Sequence, residues 1–371
     1  MTTKRLVLAG GGHAHLQVLE RLARSGTAGL DVVLVTPSPW QHYSGMLPGW
    51  IEGLYGDHDI RIDLRPLAAR ASASVRWQSI VGLKADARAV ELTDGSTLDY
   101  DLLSLDTGAE PALDWAAGLR IPLIIPKPIA SFQDAWPRLL SDLRTRTHPR
   151  LAVVGGGAAG AELALAMRRT LPTVDASAGL SLVTGHDGLL PGHGKAARER
   201  VRNALQAAPV EVVETSARAE LGTLRLGNGR SIDPDAVVAA TGSRAPAWLS
   251  GSRVQVDRQG FVSVDAFQRS VSHPDIFAVG DVSSRVDVTL ARSGVHAVRA
   301  GPVLAHNLLA VAAGSPLRSY RPARASLYIV ATGGRTAVAS WGRWSAGGSW
   351  TWRWKDAIDR RFVRRFRSRA G

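Results

Sequence analysis

The feature that most constrains this chain occurs twice. It first reads Arg5-Leu6-Val7-Leu8-Ala9-Gly10-Gly11-Gly12-His13-Ala14-His15, then Arg150-Leu151-Ala152-Val153-Val154-Gly155-Gly156-Gly157-Ala158-Ala159-Gly160-Ala161-Glu162. Each copy is an apolar run, three glycines and a continuation at helical spacing, which predicts strand, tight turn and helix. Such a turn leaves backbone N–H groups free at a helix N-terminus, where a pyrophosphate can be held. The second copy has the complete fingerprint, Gly155, Gly157 and Gly160. The first has Gly10 and Gly12, but His15 stands in the third place. Alone, the first copy fits a plain strand–helix turn as well as a nucleotide site. The two copies lie 145 residues apart, the size of a domain.

Other features repeat in the same order. Asp94-Gly95 and Asn228-Gly229 are hairpin-turn dipeptides. Each precedes an apolar strand ending in Thr-Gly, at Thr107-Gly108 and Thr241-Gly242, and then a proline, Pro111 or Pro246. An accidental glycine turn does not bring that order with it. The sequence therefore predicts an α/β fold with two Rossmann-like domains. Further on, Gly280-Asp281 ends another strand. A glycine there lets a phosphate approach, and the carboxylate can accept from a ribose or polyol hydroxyl. An aspartate capping the next loop fits equally well.

Helices are predicted over residues 131–143, capped by Ser131, and over 289–309. Residues 327–330 and 336–340 read as a strand pair around Gly333-Gly334. Trp341, Trp344, Trp350, Trp352 and Trp354 follow, five of the eleven tryptophans. Near the end, Ile358, Phe362 and Phe366 fall at i, i+4 and i+8 with arginines between them.

Composition narrows the function. The absence of cysteine removes disulfides, thiolate metal sites and cysteine redox relays. The formal net charge of +13 favours an anionic partner, and residues 353–371 carry +6 of it. No apolar run approaches the ~20 residues of a membrane span, and the N-terminus has too few apolar residues for a signal peptide. A cytoplasmic protein is expected. The tail supports two readings, an interfacial anchor on an anionic membrane surface and a helix packed on its own domain. A nucleic-acid surface has no accompanying motif and is not expected. The ten histidines show no metal-triad spacing, so no metal is expected. His13 and His15 read as turn and packing residues. His42, beside Tyr43, is the candidate for a catalytic role.

The chain resembles the two-dinucleotide-domain flavoprotein reductases of the pyridine nucleotide–disulfide oxidoreductase fold. Within them it is similar to type II NADH dehydrogenases. Residues 10–19, Tyr43-Ser44-Gly45-Met46-Leu47-Pro48-Gly49, Ile62-Asp63-Leu64-Arg65-Pro66-Leu67 and Trp352-Arg353-Trp354-Lys355-Asp356 resemble a bacterial flavoprotein group found beside or fused to selenophosphate synthase. The resemblance implies FAD in a split first domain, residues 1–112 and 250–318. It implies NADH or NADPH in an inserted domain, 113–249, followed by a small α+β region, 319–371. Gly10, Gly12, His13 and Ala14 would hold the FAD pyrophosphate. Thr107 and Gly108 would lie by the adenine half, and Gly280 and Asp281 by the pyrophosphate and ribityl chain. Residues 43–48, Ser44 among them, would lie along the isoalloxazine. Ser293, near the start of the 289–309 helix, would lie by the same ring. Gly155, Gly157 and Gly160, with Thr241 and Gly242, would hold the nicotinamide dinucleotide. Glu162 would orient its nicotinamide for hydride transfer; a glutamate placed by the helix dipole is the plainer alternative.

Three departures matter. Neither domain has an acid at the end of its second strand, where one would bind a ribose. Thr36 and Ser38 offer hydroxyls in the first, and the choice of NADH or NADPH stays open. The two glutamines that face a quinone in the resembled dehydrogenases correspond to Val295 and Arg299. His15 replaces a glycine that lets helix and strand approach, so a slightly opened unit or a compensating small residue is expected. The implied activity is an FAD-dependent NAD(P)H dehydrogenase passing electrons to a quinone. The alternatives are a flavoprotein with another acceptor, a selenium compound among them, and a non-catalytic nucleotide-binding protein. A homodimer is left open.

Overall fold

The computed structural model describes residues 3–27, 29–220 and 222–367. Two five-stranded parallel sheets organise it. The first runs Ile276–Ala278, Leu102–Leu105, Lys4–Ala9, Leu30–Val35, Ala73–Arg76. The second runs Leu123–Ile124, Ala236–Ala239, Arg150–Val154, Gly179–Val183, Glu211–Val213. In both, the strand leading to Thr-Gly lies beside the strand leading to the glycine turn. The chain leaves the first sheet after Leu102–Leu105 and builds the second. It then returns with Ile276–Ala278, which pairs with Leu102–Leu105. The two crossings between the sheets pair antiparallel, Glu110–Pro111 with Ser243–Arg244.

Alternate residues of these strands enter opposite layers. Leu6 and Leu8 join one core, Val7 and Ala9 another. Leu151 and Val153 divide from Ala152 and Val154 in the same way. A strand covered on both faces must be apolar throughout, which is why both runs are unbroken in the sequence. Each sheet has a three-stranded antiparallel annex containing the expected hairpin: Ala89–Leu92 with Thr97–Asp99, and Thr223–Leu226 with Ser231–Ile232.

Several element bounds differ from expectation. Ser131 lies inside helix Ile129–Leu143, whose N-cap is Pro128 with no side-chain cap. The later helix is Gly294–Ala312, not 289–309. Arg292 is held over the Phe261 ring at 3.5 Å and pairs with Asp257 at 3.7 Å, which keeps its segment out of the helix. The strand pair Leu327–Gly333 and Thr336–Trp341 gains a third member, Trp344–Gly348.

The last helix, Ser349–Phe366, begins among the tryptophans. It does not present Ile358, Phe362 and Phe366 as one stripe. Phe366 is buried, Phe362 packs on Tyr43 at 4.8 Å, and Ile358 faces outward. Thr351, Lys355, Asp359 and Val363 form the buried face with Phe366. Trp350 and Trp354 stack on the outer face. Residues 368–371 of the basic tail lie outside the described residues.

Candidate functional site

In the first unit, strand Lys4–Ala9 delivers the glycine turn and helix His13–Ser25 follows with Gly12 as N-cap. Gly12 supplies no side chain to the free amides. Asp106 does so from the end of the neighbouring strand. Its Oδ2 accepts from the N–H groups of Ala14 at 2.9 Å and His15 at 3.0 Å. The carboxyl is buried, and a Cβ built on Gly12 would lie 2.3 Å from it. Burial pushes its pKa up to about 7, against the two amide donors. Asp281 reinforces the rise from the Gly280 turn and is itself paired with Lys127 at 3.3 Å.

His15 solves its steric problem with its ring. In the second unit a Cβ on Gly160 would lie 1.8 Å from the Gly155 carbonyl oxygen. At the matching place in the first unit, His15 Nδ1 sits 2.6 Å from the Gly10 carbonyl and Nε2 sits 2.8 Å from Ser104 Oγ. The imidazole thus fills the gap between helix and turn, and Ser104 is the small residue opposite it. Burial lowers its pKa to about 4, so the ring is neutral. It is a packing residue, as expected.

His13 has more company than expected. Its ring lies 5.5 Å from Tyr43 and 5.7 Å from Phe362, and burial holds its pKa down to about 4. His42 is elsewhere. It ends strand Trp40–His42, half-buried, with Arg61, Gln133 and Asp57 around it, and burial lowers its pKa. Among the described residues His13, not His42, makes the ring contact with Tyr43. Ser44 opens the short turn Ser44–Met46 after Tyr43. Thr36 is buried facing the glycine turn, its Oγ1 3.2 Å from a Cβ built on Gly11. Ser38 Oγ is already engaged, accepting from Trp40 N at 3.0 Å. Thr107 is exposed, and Gly108 follows it with open space where a Cβ would be.

Helix Gly294–Ala312 crosses the first helix closely, Gly301 lying against Gln17 and Ala14. Gln17 Nε2 donates to the Val298 carbonyl at 2.5 Å. At its start, Ser293 Oγ and His296 Nδ1 are buried with no hydrogen-bond partner among the described residues. Buried polar atoms are rarely left unpaired, so two beside one helix N-terminus fit a polar group bound there. The Gly280 turn adjoins this helix start, a Cβ built on Gly280 lying 3.4 Å from Ala297 Cβ, so the residues present fit the polar flavin and ribityl groups of FAD. Arg299 does not face that place; it donates to Ser326 Oγ at 3.2 Å.

In the second unit Gly157 is open where Gly12 is not, with nothing within 4 Å of a built Cβ. Thr241 Oγ1 donates to the Ala112 carbonyl at 2.8 Å and so serves the crossing between the sheets; exposed Gly242 follows. Buried Thr184 directly follows the second strand, and Asp187 beyond it is exposed. Glu162, just past the first turn of helix Ala158–Thr170, points at the C-terminal region. Its Oε1 accepts from Ala331 N at 2.8 Å, and burial raises its pKa to about 7.

Three distant segments meet there. Lys355 is buried, donating to Asp359 Oδ2 at 2.6 Å and to the Gly45 carbonyl at 2.5 Å. Burial works against its ammonium, but Asp359 and Glu162 outweigh it and raise the pKa. Tyr43 OH donates to the other Asp359 oxygen at 3.1 Å; burial and that carboxylate keep the phenol protonated. Lys355 and Asp359 were missed in the sequence. Asp106 was missed as well, though the repeat offered a signal: Ala240 stands in its place.

Two dinucleotide-type glycine turns on two parallel sheets, joined by a paired crossing, define a two-domain nucleotide-dependent oxidoreductase fold. The chain belongs to the pyridine nucleotide-disulphide oxidoreductase family, whose profile matches residues 4–307 and whose members use FAD and NAD(P)H. It is 32% identical over 208 residues to the nitric oxide reductase FlRd-NAD(+) reductase of Salmonella paratyphi A, covering 54% of this chain and 51% of that one. It is 31% identical over 206 residues to the glutathione reductase of Burkholderia cepacia, covering 53% and 41%. The chain thus aligns with about half the length of these relatives. Its fold is like that of the sulfide:quinone oxidoreductase of Aquifex aeolicus (TM-score 0.81, 18% identity, 98% and 92% covered). It is also like that of NDH2 of Plasmodium falciparum solved with NADH (TM-score 0.80, 12% identity, 98% of both chains). This chain's lack of cysteine separates it from disulfide chemistry within the family.

Proposed function

We propose that the protein is an FAD-dependent dehydrogenase that takes hydride from NADH or NADPH and passes electrons to a quinone. The observation that carries this reading is the meeting of Glu162, Tyr43 and the Lys355–Asp359 pair. One glycine-turn helix, the loop after His42 and the C-terminal helix there enclose one buried, charged site. Bound FAD would relay the two electrons between nicotinamide and acceptor. Residues 1–112 and 250–318 would hold it, through the Gly10–Ala14 turn, Thr107, Gly108, Gly280, Asp281 and Ser293. The open amides around Gly157 would receive the NAD(P)H pyrophosphate in residues 113–249. Glu162 would set the nicotinamide end, a contribution of positioning. Its carboxyl, titrating near neutrality, can hold or release a proton beside the Lys355 ammonium.

A second acceptor class is favoured by one observation. Arg299, at a place the resemblance gives to a quinone-facing glutamine, is turned to Ser326. An acidic electron-carrier protein or a selenium compound fits the basic chain as well. Among the described residues no helix is long and apolar enough to cross a membrane. Exposed Trp341, Trp344, Trp350, Trp354 and Ile358, with exposed Arg353, Arg361 and Arg364, support a headgroup-level contact with an anionic bilayer.

Anaerobic titration tests the core of this reading. Yellow protein should bleach with NADH or NADPH, and ubiquinone or menaquinone analogues should restore the colour. A protein that carries FAD but is never reduced removes the dehydrogenase. Reduction without reoxidation by any quinone removes the quinone arm. Co-sedimentation with anionic liposomes should be lost in Trp350→Ser/Trp354→Ser; unchanged binding removes the membrane contact.

A further inference from the structure

The two glycine turns differ in what closes them. Ala240 and Asp106 each precede Thr-Gly at the end of the matching strand. Ala240 leaves the second helix N-terminus open. The Asp106 carboxyl fills the corresponding place in the first turn. It takes the amides of Ala14 and His15 on Oδ2, and its Oδ1 lies 3.2 Å from a Cβ built on Gly280. These amides and this glycine surround the place where a dinucleotide pyrophosphate would sit. The anion therefore arrives opposite a buried carboxyl.

We propose that Asp106 makes FAD binding proton-linked: the pyrophosphate is accepted at the first helix N-terminus as the Asp106 carboxyl takes up one proton from solvent. This rests on the reading that the first unit holds FAD. Two anions in contact within a buried site repel strongly. Once protonated, the carboxyl changes role. Its O–H can donate to a phosphoryl oxygen, and the helix amides it held as an anion become available.

The surrounding charges do not relieve the conflict: Arg292 is paired with Asp257 and acts on Asp281 rather than on Asp106. Asp281 faces Asp106 from the Gly280 turn and adds a like charge. Lys127 is exposed and already paired with Asp281. On the helix side, burial keeps His13 and His15 neutral, and the His15 ring is turned to Gly10 and Ser104. Strand Ile276–Ala278 and the Leu6-Val7-Leu8-Ala9 run bring no titratable side chain. Since burial already places the free carboxyl near neutrality, the linkage falls in an accessible pH range.

The test uses the full chain stripped of FAD. FAD is titrated back from about pH 6 to 9 by quenching of its fluorescence. Proton uptake is measured by calorimetry in two buffers of different ionisation enthalpy. The wild-type Kd should rise about tenfold per pH unit above neutrality, with close to one proton taken up near pH 8. Asp106→Asn should bind FAD with a nearly flat Kd and take up none. A flat wild-type profile, or the wild-type slope in Asp106→Asn, overturns the proposal. If that variant does not fold, the calorimetry on wild-type protein decides alone, and zero uptake sinks the idea. Wild-type protein that binds no FAD at any pH removes the FAD reading too, so the two failures are distinct.

Discussion

Asp106→Asn should change the pH dependence of stability in the FAD-free protein, by an amount the site itself sets. The Asp106 pKa rises from 3.8 to about 7 on folding, because the carboxyl is buried. A group whose folded pKa is raised binds more protons in the native state between those two values. Its protonation stabilises fully below about pH 4, and that contribution is lost as pH rises through about 7. The loss proceeds at about 1.4 kcal/mol per pH unit and totals about 4 kcal/mol. Asparagine keeps an oxygen for the Ala14 and His15 amides but cannot ionise. The variant should therefore gain on wild type steadily across that window and hold a constant advantage above it. Other groups that titrate on folding, His13 and His15 with pKa values lowered to about 4, are common to both proteins and cancel in the difference. Equilibrium urea unfolding from pH 4 to 8, followed by circular dichroism, measures it. A stability difference that does not change with pH would refute the buried, titrating carboxyl.

Two further outcomes follow from the same geometry. Lys355→Met leaves the Asp359 carboxylate buried with only the Tyr43 hydroxyl, which should cost about 3–5 kcal/mol in urea unfolding near pH 8. Lys355→Met/Asp359→Leu should recover most of that; a double variant no better than the single one contradicts the buried pair. Gly160→Ala places a methyl 1.8 Å from the Gly155 carbonyl oxygen, so the second helix must shift. It should slow reduction by NAD(P)H by a factor on the order of ten or more while FAD content stays at the wild-type level. Loss of FAD instead would mean the two units are assigned the wrong way round.

The parts read from the sequence share a physical cause. Strands such as 6–9 and 151–154 are covered on both faces, so no polar residue interrupts them. The turns that end them open on Gly10 and Gly155, whose positive φ calls for glycine whatever surrounds it. The hairpins at Asp94-Gly95 and Asn228-Gly229 are local in the same sense. Local chemistry left the helix bounds less certain. Nothing near residue 289 says that Arg292 will be drawn onto Phe261 and Asp257, delaying the helix to Gly294.

The site was only half visible for a related reason. The Lys355–Asp359 pair looks in the sequence like an ordinary i, i+4 ion pair on a solvated basic helix. It is buried because Gly45 and Tyr43, some 310 residues away, close over it. The same packing turned Phe362 and Phe366 inward and left Trp350 and Trp354 outside. By itself the sequence determined two glycine-turn units, their order and the absence of thiol chemistry, because backbone geometry and composition decide those. Only the tertiary structure decided which side chains fill the turns. His15 replaces a glycine by packing its ring against Gly10 and Ser104, and Asp106 closes a helix N-terminus that lies 91 residues from it in sequence. Contacts of that range depend on how whole sheets are laid side by side, which no local pattern encodes.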